Sequence, residues 1–113
     1  MARVKIPVTT IVRDGVAPPT QTSADAANDH TIAGNDGRIV LEAGNVGADD
    51  AIVTITTPGT VAGLAIADLA VTVPAAGTRW IGPFPTTVFN QPGTDEIFVD
   101  VTDADLRFRC YKI

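Results

Sequence analysis

Leu69-Ala70-Val71-Thr72-Val73-Pro74-Ala75-Ala76-Gly77-Thr78-Arg79-Trp80-Ile81-Gly82-Pro83-Phe84-Pro85 reads as a strand, a tight turn, a second strand and a stiff extended exit. Pro74 has no N–H to give to a central ladder, so the first strand stops there. Ala75-Ala76-Gly77 is small enough for a tight turn, with Gly77 free to take positive φ. Gly82 and Phe84 each precede a proline, which biases both away from helix. Alternation places Leu69, Val71 and Val73 on one face. The unit carries no catalytic group and looks built for rigidity.

The rest of the chain follows the same grammar. Arg38–Ala43 puts Ile39, Leu41 and Ala43 on one face, and Ala51–Thr57 puts Val53 and Ile55 inward with Thr54 and Thr56 outward. Glu96–Thr102 alternates through Ile97, Val99 and Val101, and Leu106–Tyr111 through Leu106, Phe108 and Cys110. Turn formers separate these pieces: Gly44-Asn45-Val46-Gly47-Ala48-Asp49-Asp50, Pro58-Gly59 and Asp103-Ala104-Asp105. Val61–Asp68 reads as a short apolar bridge with room for one helical turn. Short strands with turn signals roughly every 8–12 residues predict an all-β, antiparallel sandwich of about seven to eight strands, Ig-like or jelly-roll-like.

The N-terminal third differs. Val4–Val12 is strand-like, and Pro7 restricts it to an edge or a bulge. Residues 13–37 are rich in turn formers, with room for a short helix over Ala24–Asn28 capped by Ser23. We therefore expect an extended arm and long loop over 1–37 and the sandwich over 38–113. The arm is expected to pack partly against a neighbouring subunit.

Composition bounds the function. The 113 residues suffice for one core, which must be aliphatic because aromatics are only 5 %. A net charge of −5 argues against nucleic acid, whose phosphates need a basic face. No long apolar run follows Met1-Ala2-Arg3-Val4-Lys5, so neither a signal peptide nor a membrane span is expected, and synthesis in a cytoplasm is.

Chemistry-bearing residues are few. His30, the one histidine, lies in the polar run Asn28-Asp29-His30-Thr31 and reads as a solvated loop residue without a nucleophile or orienting acid. Asp49-Asp50 and Asp103/Asp105 lack the spacing of a calcium loop and read as turn residues. Cys110, the one cysteine, reads as a buried, inert side chain. No enzyme activity, metal or cofactor is expected. Trp80 is assigned to the core and Phe84 to a surface or subunit contact. Phe98 and Tyr111 fall opposite the inward sets of their strands, facing outward or under a covering arm. The expected interface set is Val4, Ile6, Val8, Phe84, Phe98 and Tyr111.

Several pieces taken together resemble small head proteins of tailed bacteriophages, those of actinobacteria in particular. They are Asn35-Asp36-Gly37-Arg38 entering a strand, Asn45 after it, and Val53-Thr54-Ile55-Thr56-Thr57-Pro58-Gly59-Thr60. Val71-Thr72-Val73-Pro74-Ala75-Ala76-Gly77-Thr78-Arg79, Ile81-Gly82-Pro83-Phe84-Pro85 and Phe89-Asn90-Gln91 complete the set. The resemblance implies a non-enzymatic β-sandwich virion protein, a decoration (cement) protein on the capsid exterior. Its partners would be the major capsid protein and further copies of itself, a trimer at local threefold positions being one arrangement. The rival is a carbohydrate- or receptor-binding sandwich module of a phage tail or bacterial surface protein. Its sugar site would draw on Trp80, Phe89, Asn90 and Gln91.

Overall fold

The computed structural model describes residues 3–113. Strands take 42 % of the chain and helix 4 %, so packing between sheets has to supply the core. In chain order the strands are β1 (Val4–Lys5), β2 (Val8–Thr10), β3 (Thr22–Ser23), β4 (His30–Ile32), β5 (Ile39–Asn45) and β6 (Ala51–Ile55). They continue with β7 (Thr60–Val61), β8 (Leu64–Ala65), β9 (Leu69–Val73), β10 (Thr78–Ile81), β11 (Ile97–Val101) and β12 (Leu106–Lys112). One short helix, α1 (Thr86–Phe89), precedes β11.

Two sheets pack face to face as a β-sandwich. The first has the order β1-β4-β11-β6-β9, and the second has the order β10-β5-β12-β2, with β3 also paired to β12. Ile39, Leu41, Ala43, Phe108 and Cys110 of the second sheet meet Val53, Ile55, Ile97, Val99 and Val73 of the first in one apolar core. These are the inward sets that alternation predicts, except on β9, where Val73 is buried but Leu69, at the far end of an edge strand, is 38 % exposed. Burial pushes the Cys110 thiol up to about 12.

One chain segment closes each open side of the sandwich. On one side β9 ends the first sheet, the chain turns through Pro74–Gly77, and β10 ends the second. The strand-turn-strand unit is therefore not a hairpin: β9 pairs with β6, and β10 pairs with β5. On the other side β1 joins β4 and β2 joins β12, with Ile6-Pro7 crossing between the sheets. A proline sits at each crossing, where the chain leaves one ladder before entering the next.

This arrangement corrects the expected division at 37/38. Val4–Lys5, Val8–Thr10, Thr22–Ser23 and His30–Ile32 all belong to the sandwich sheets, and Ile6 is 1 % exposed in the core. What remains exposed is the connection from Ile11 to Pro18. The physical reason is pairing: β1 hydrogen-bonds to β4 and β2 to β12, so the N-terminal segment supplies edge strands of the domain's own sheets. The sheets are also mixed rather than purely antiparallel, because β1–β4 and β2–β12 run parallel.

Two helical expectations change as well. Over Ala24–Asn28 there is a turn, capped by Asp25 and not by Ser23: Asp25 Oδ1 accepts from the N–H groups of Ala27 and Asn28 at 3.0 and 3.1 Å. The Val61–Asp68 bridge is the β7–β8 hairpin, turning at Ala62 (φ 52°) and Gly63 (φ 79°). Gly82, at φ 124°, is required by space as well as conformation. A Cβ there would lie 2.8 Å from the Ile39 carbonyl oxygen.

Candidate functional site

Trp80 and Phe84 exchange their expected roles. Register decides Trp80: Ile81 pairs with Leu41 on the inner face, so Trp80 pairs with Glu42 on the outer face. Trp80 is 61 % exposed. Phe84 lies beyond the strand and folds back into the core at 1 % exposure, its ring edge-on to Phe89 at 5.3 Å. Phe84 and Ile6 are therefore removed from the interface set, because each fills core volume. Val4 and Val8 are half-buried at the strand edges.

The outer face of the second sheet gathers polar and aromatic groups that sequence spacing kept apart. Trp80 on β10, Glu42 on β5 and Arg109 on β12 stand side by side in one cross-strand row. The Trp80 indole stacks on Tyr111, with ring centroids 5.4 Å apart and 23° between planes. Tyr111 Oη donates to Glu42 Oε1 at 3.3 Å, and Arg109 donates to Glu42 Oε2 at 3.5 Å. Arg109 Nε also donates to the Pro19 carbonyl at 2.9 Å, tying the exposed N-terminal connection to this face. Burial, reinforced by the Glu42 carboxylate, raises the Tyr111 phenol, so it stays protonated and donating. Tyr111 thus faces outward as expected, but Trp80 covers most of it.

The outer face of the first sheet is organised by Arg3. Its guanidinium lies 4.0 Å from the centroid of the Phe98 ring, forms a 2.6 Å ion pair with Asp100 and donates to the His30 carbonyl. Phe98 therefore sits under a covering arm, and the arm is the chain's own.

His30 is a correction to the solvated reading. It is fully buried on β4, edge-on to Phe108 at 5.3 Å. Its Nε2 accepts from the Asp25 N–H at 2.9 Å, which leaves the proton on Nδ1 for the Val4 carbonyl at 3.0 Å. Desolvation holds its pKa below the usual histidine range, against the carboxylates of Asp25 and Asp29. The ring is a structural clasp between the N-terminal strand and the Asp25 turn.

The amides proposed for a sugar site beside Trp80 are used internally. Asn35 Nδ2 donates to Asn90 Oδ1 and to the Phe84 carbonyl, and Asn90 Nδ2 returns a bond to the Asn35 carbonyl. Gln91 Nε2 donates to Thr56 Oγ1 at 2.9 Å. Asp50 and Asp103 accept the N–H groups of Ala75 and Asp105, which is turn chemistry. Among the described residues no three His, Cys, Asp or Glu side chains are grouped to hold a metal ion. No helix among them is long and apolar enough to cross a membrane.

The surface also carries an apolar run. Between Thr60 and Ala76 the only charged residue is Asp68, and its carboxylate accepts from the Thr57 N–H and hydroxyl. Leu64 is 72 % exposed, and Ala62, Ala65, Ala67, Leu69 and Ala70 are exposed with it. β9, within this run, is an edge strand of its sheet. Comparison with protein-family models, curated proteins and solved structures returned no match.

Proposed function

We propose that this chain is a non-enzymatic virion structural protein, a decoration (cement) protein that binds the outer face of a phage capsid. The observation that carries the reading is the exposed, nearly uncharged run from Thr60 to Ala76 on an acidic protein. Exposed apolar runs of this kind mark association surfaces. Edge strands of monomers are usually guarded by charge, bulges or cover, and Leu69–Val73 holds no charged residue. The resemblance of residues 35–101 to small phage head proteins points the same way.

Docking would bury Leu64, Leu69 and the β9 edge against capsid subunits or sister copies bound to them. Because the bound state exists only on an intact shell, binding stabilises the shell by mass action. The sandwich supplies a stiff plate, so little conformational entropy is lost when it docks.

The test is co-sedimentation with capsids that lack decoration protein. Leu64→Asp and Ala70→Asp should each weaken capsid binding roughly tenfold or more, a loss of about 1.4 kcal/mol. Thermal melting of the free protein should stay close to that of the parent chain. Unchanged binding by both variants would sink the assignment of this surface. Absence of the protein from a cryo-EM map of the parent particle's head would sink the function.

A further inference from the structure

The outer face of the second sheet has features that docking through residues 60–76 does not use. An exposed indole, a carboxylate and a guanidinium stand in one row across adjacent strands, Trp80, Glu42 and Arg109. Neighbouring strands are about 4.8 Å apart. The row therefore spans roughly the width of one sugar ring and its hydroxyls. We propose that this row is a binding site for a neutral pyranose unit of an oligosaccharide.

Stacking fixes how the indole is presented. Tyr111 backs the Trp80 ring at 23°, so the indole is held in one orientation with a face turned away from its support. A pyranose offers one largely C–H face, which packs on an aromatic ring and leaves its hydroxyls at the edge. Aromatic side chains with a few placed polar groups are the usual composition of small-ligand sites.

The polar part of the row suits hydroxyls. Glu42 and Arg109 are mostly covered, with side-chain exposures of 15 % and 28 %, so their positions are set by packing. Their mutual contact is long at 3.5 Å, and the Tyr111–Glu42 bond is 3.3 Å. Each Glu42 oxygen accepts one of these bonds and keeps a second lone pair, and Arg109 Nη2 makes no bond among the described residues, which leaves an acceptor and a donor for one hydroxyl. The two charges cancel, which favours a neutral sugar over an anionic one. Gly44, next to Glu42 on the same face, has no side chain and leaves a notch between Thr78 and Arg107.

Trp80 is the only tryptophan, so its emission reports the site directly. The parent protein would be titrated with maltohexaose, cellohexaose, xylohexaose, mannohexaose and chitohexaose, each to about 10 mM, a range that detects millimolar dissociation constants. At least one saccharide is expected to change Trp80 emission saturably. Calorimetry with that saccharide should give a heat of binding for the parent chain and none for Trp80→Ala. Glu42→Gln should weaken it about tenfold or more while the far-UV spectrum stays that of the parent chain. Gly44→Val fills the notch without altering the polar row, and it should also lose affinity. A flat response to all five saccharides would overturn the proposal. Saturable binding that survives Trp80→Ala would also overturn it, because the sugar would then sit elsewhere. Capsid co-sedimentation of Trp80→Ala separates this site from the docking surface: it should match the parent chain.

Discussion

His30 donates through Nδ1 to the carbonyl of Val4, 3.0 Å away and 26 residues earlier in the chain. Its other nitrogen is bound to the Asp25 N–H, so a second proton on the ring would break that bond. The folded-state pKa is held below 6.5 by burial, with Arg3 adding to the effect and Val4, Asp25 and Asp29 opposing it. The unfolded chain thus takes up a proton more readily than the folded one. The stability contributed by neutral His30 is present above pH 6.5 and is lost as pH falls from there toward the folded-state pKa. Melting curves between pH 8 and 5 should show this decline. In His30→Leu the decline should be reduced, with stability lower by about 1–3 kcal/mol at neutral pH because two backbone groups lose their partner.

Trp80 and Phe84 give opposite expectations although both are large aromatics. Phe84→Ala should cost about 3–5 kcal/mol in chemical denaturation, because it empties core volume between Phe89 and the sheets. Trp80→Ala should change stability by less than about 1 kcal/mol, losing only its stacking on Tyr111. Comparable losses from both would mean that Trp80 is packed inside.

Truncation tests the place of the N-terminal strands. Removing residues 1–10 deletes β1, β2 and the core side chain Ile6, and it exposes the edges of β4 and β12. The shortened chain should melt well below the parent or fail to fold. A truncated protein with the parent's melting temperature would restore the picture of a detachable arm.

Cys110 offers a probe of opening. Its thiol is fully buried and pushed up to about 12, so it should stay unreactive toward a thiol reagent such as DTNB at neutral pH. Labelling should appear only as denaturant unfolds the chain and should follow the spectroscopic transition. Rapid labelling of the native protein would show that β12 opens locally.

Asn35 and Asn90 pin the connection around Phe84 to the start of β5. Asn35→Ala and Asn90→Ala should each cost about 1–3 kcal/mol. The double variant should cost less than their sum, a coupling of roughly 0.5–3 kcal/mol. Strict additivity would mean that the Asn35–Asn90 bond does not form in solution.

Local pattern determined a good deal. Alternation with period two is a property of consecutive residues, so the strands carrying Ile39/Leu41/Ala43, Val53/Ile55, Ile97/Val99/Val101 and Leu106/Phe108/Cys110 were legible with their inward faces, and with them the β-sandwich. The structure decided whatever depended on partners far away in the chain. Trp80 and Ile81 are apolar neighbours competing for one inward position, and only the register against Leu41 and Glu42 resolves them. Phe84 lies outside any strand, where no period exists to read. His30 stands in a three-residue strand, too short to show alternation, and its burial comes from Val4, Asp25 and Phe108. The row of Trp80, Glu42 and Arg109 was hidden for the same reason: three strands, separated in sequence by other elements, meet only when the second sheet assembles.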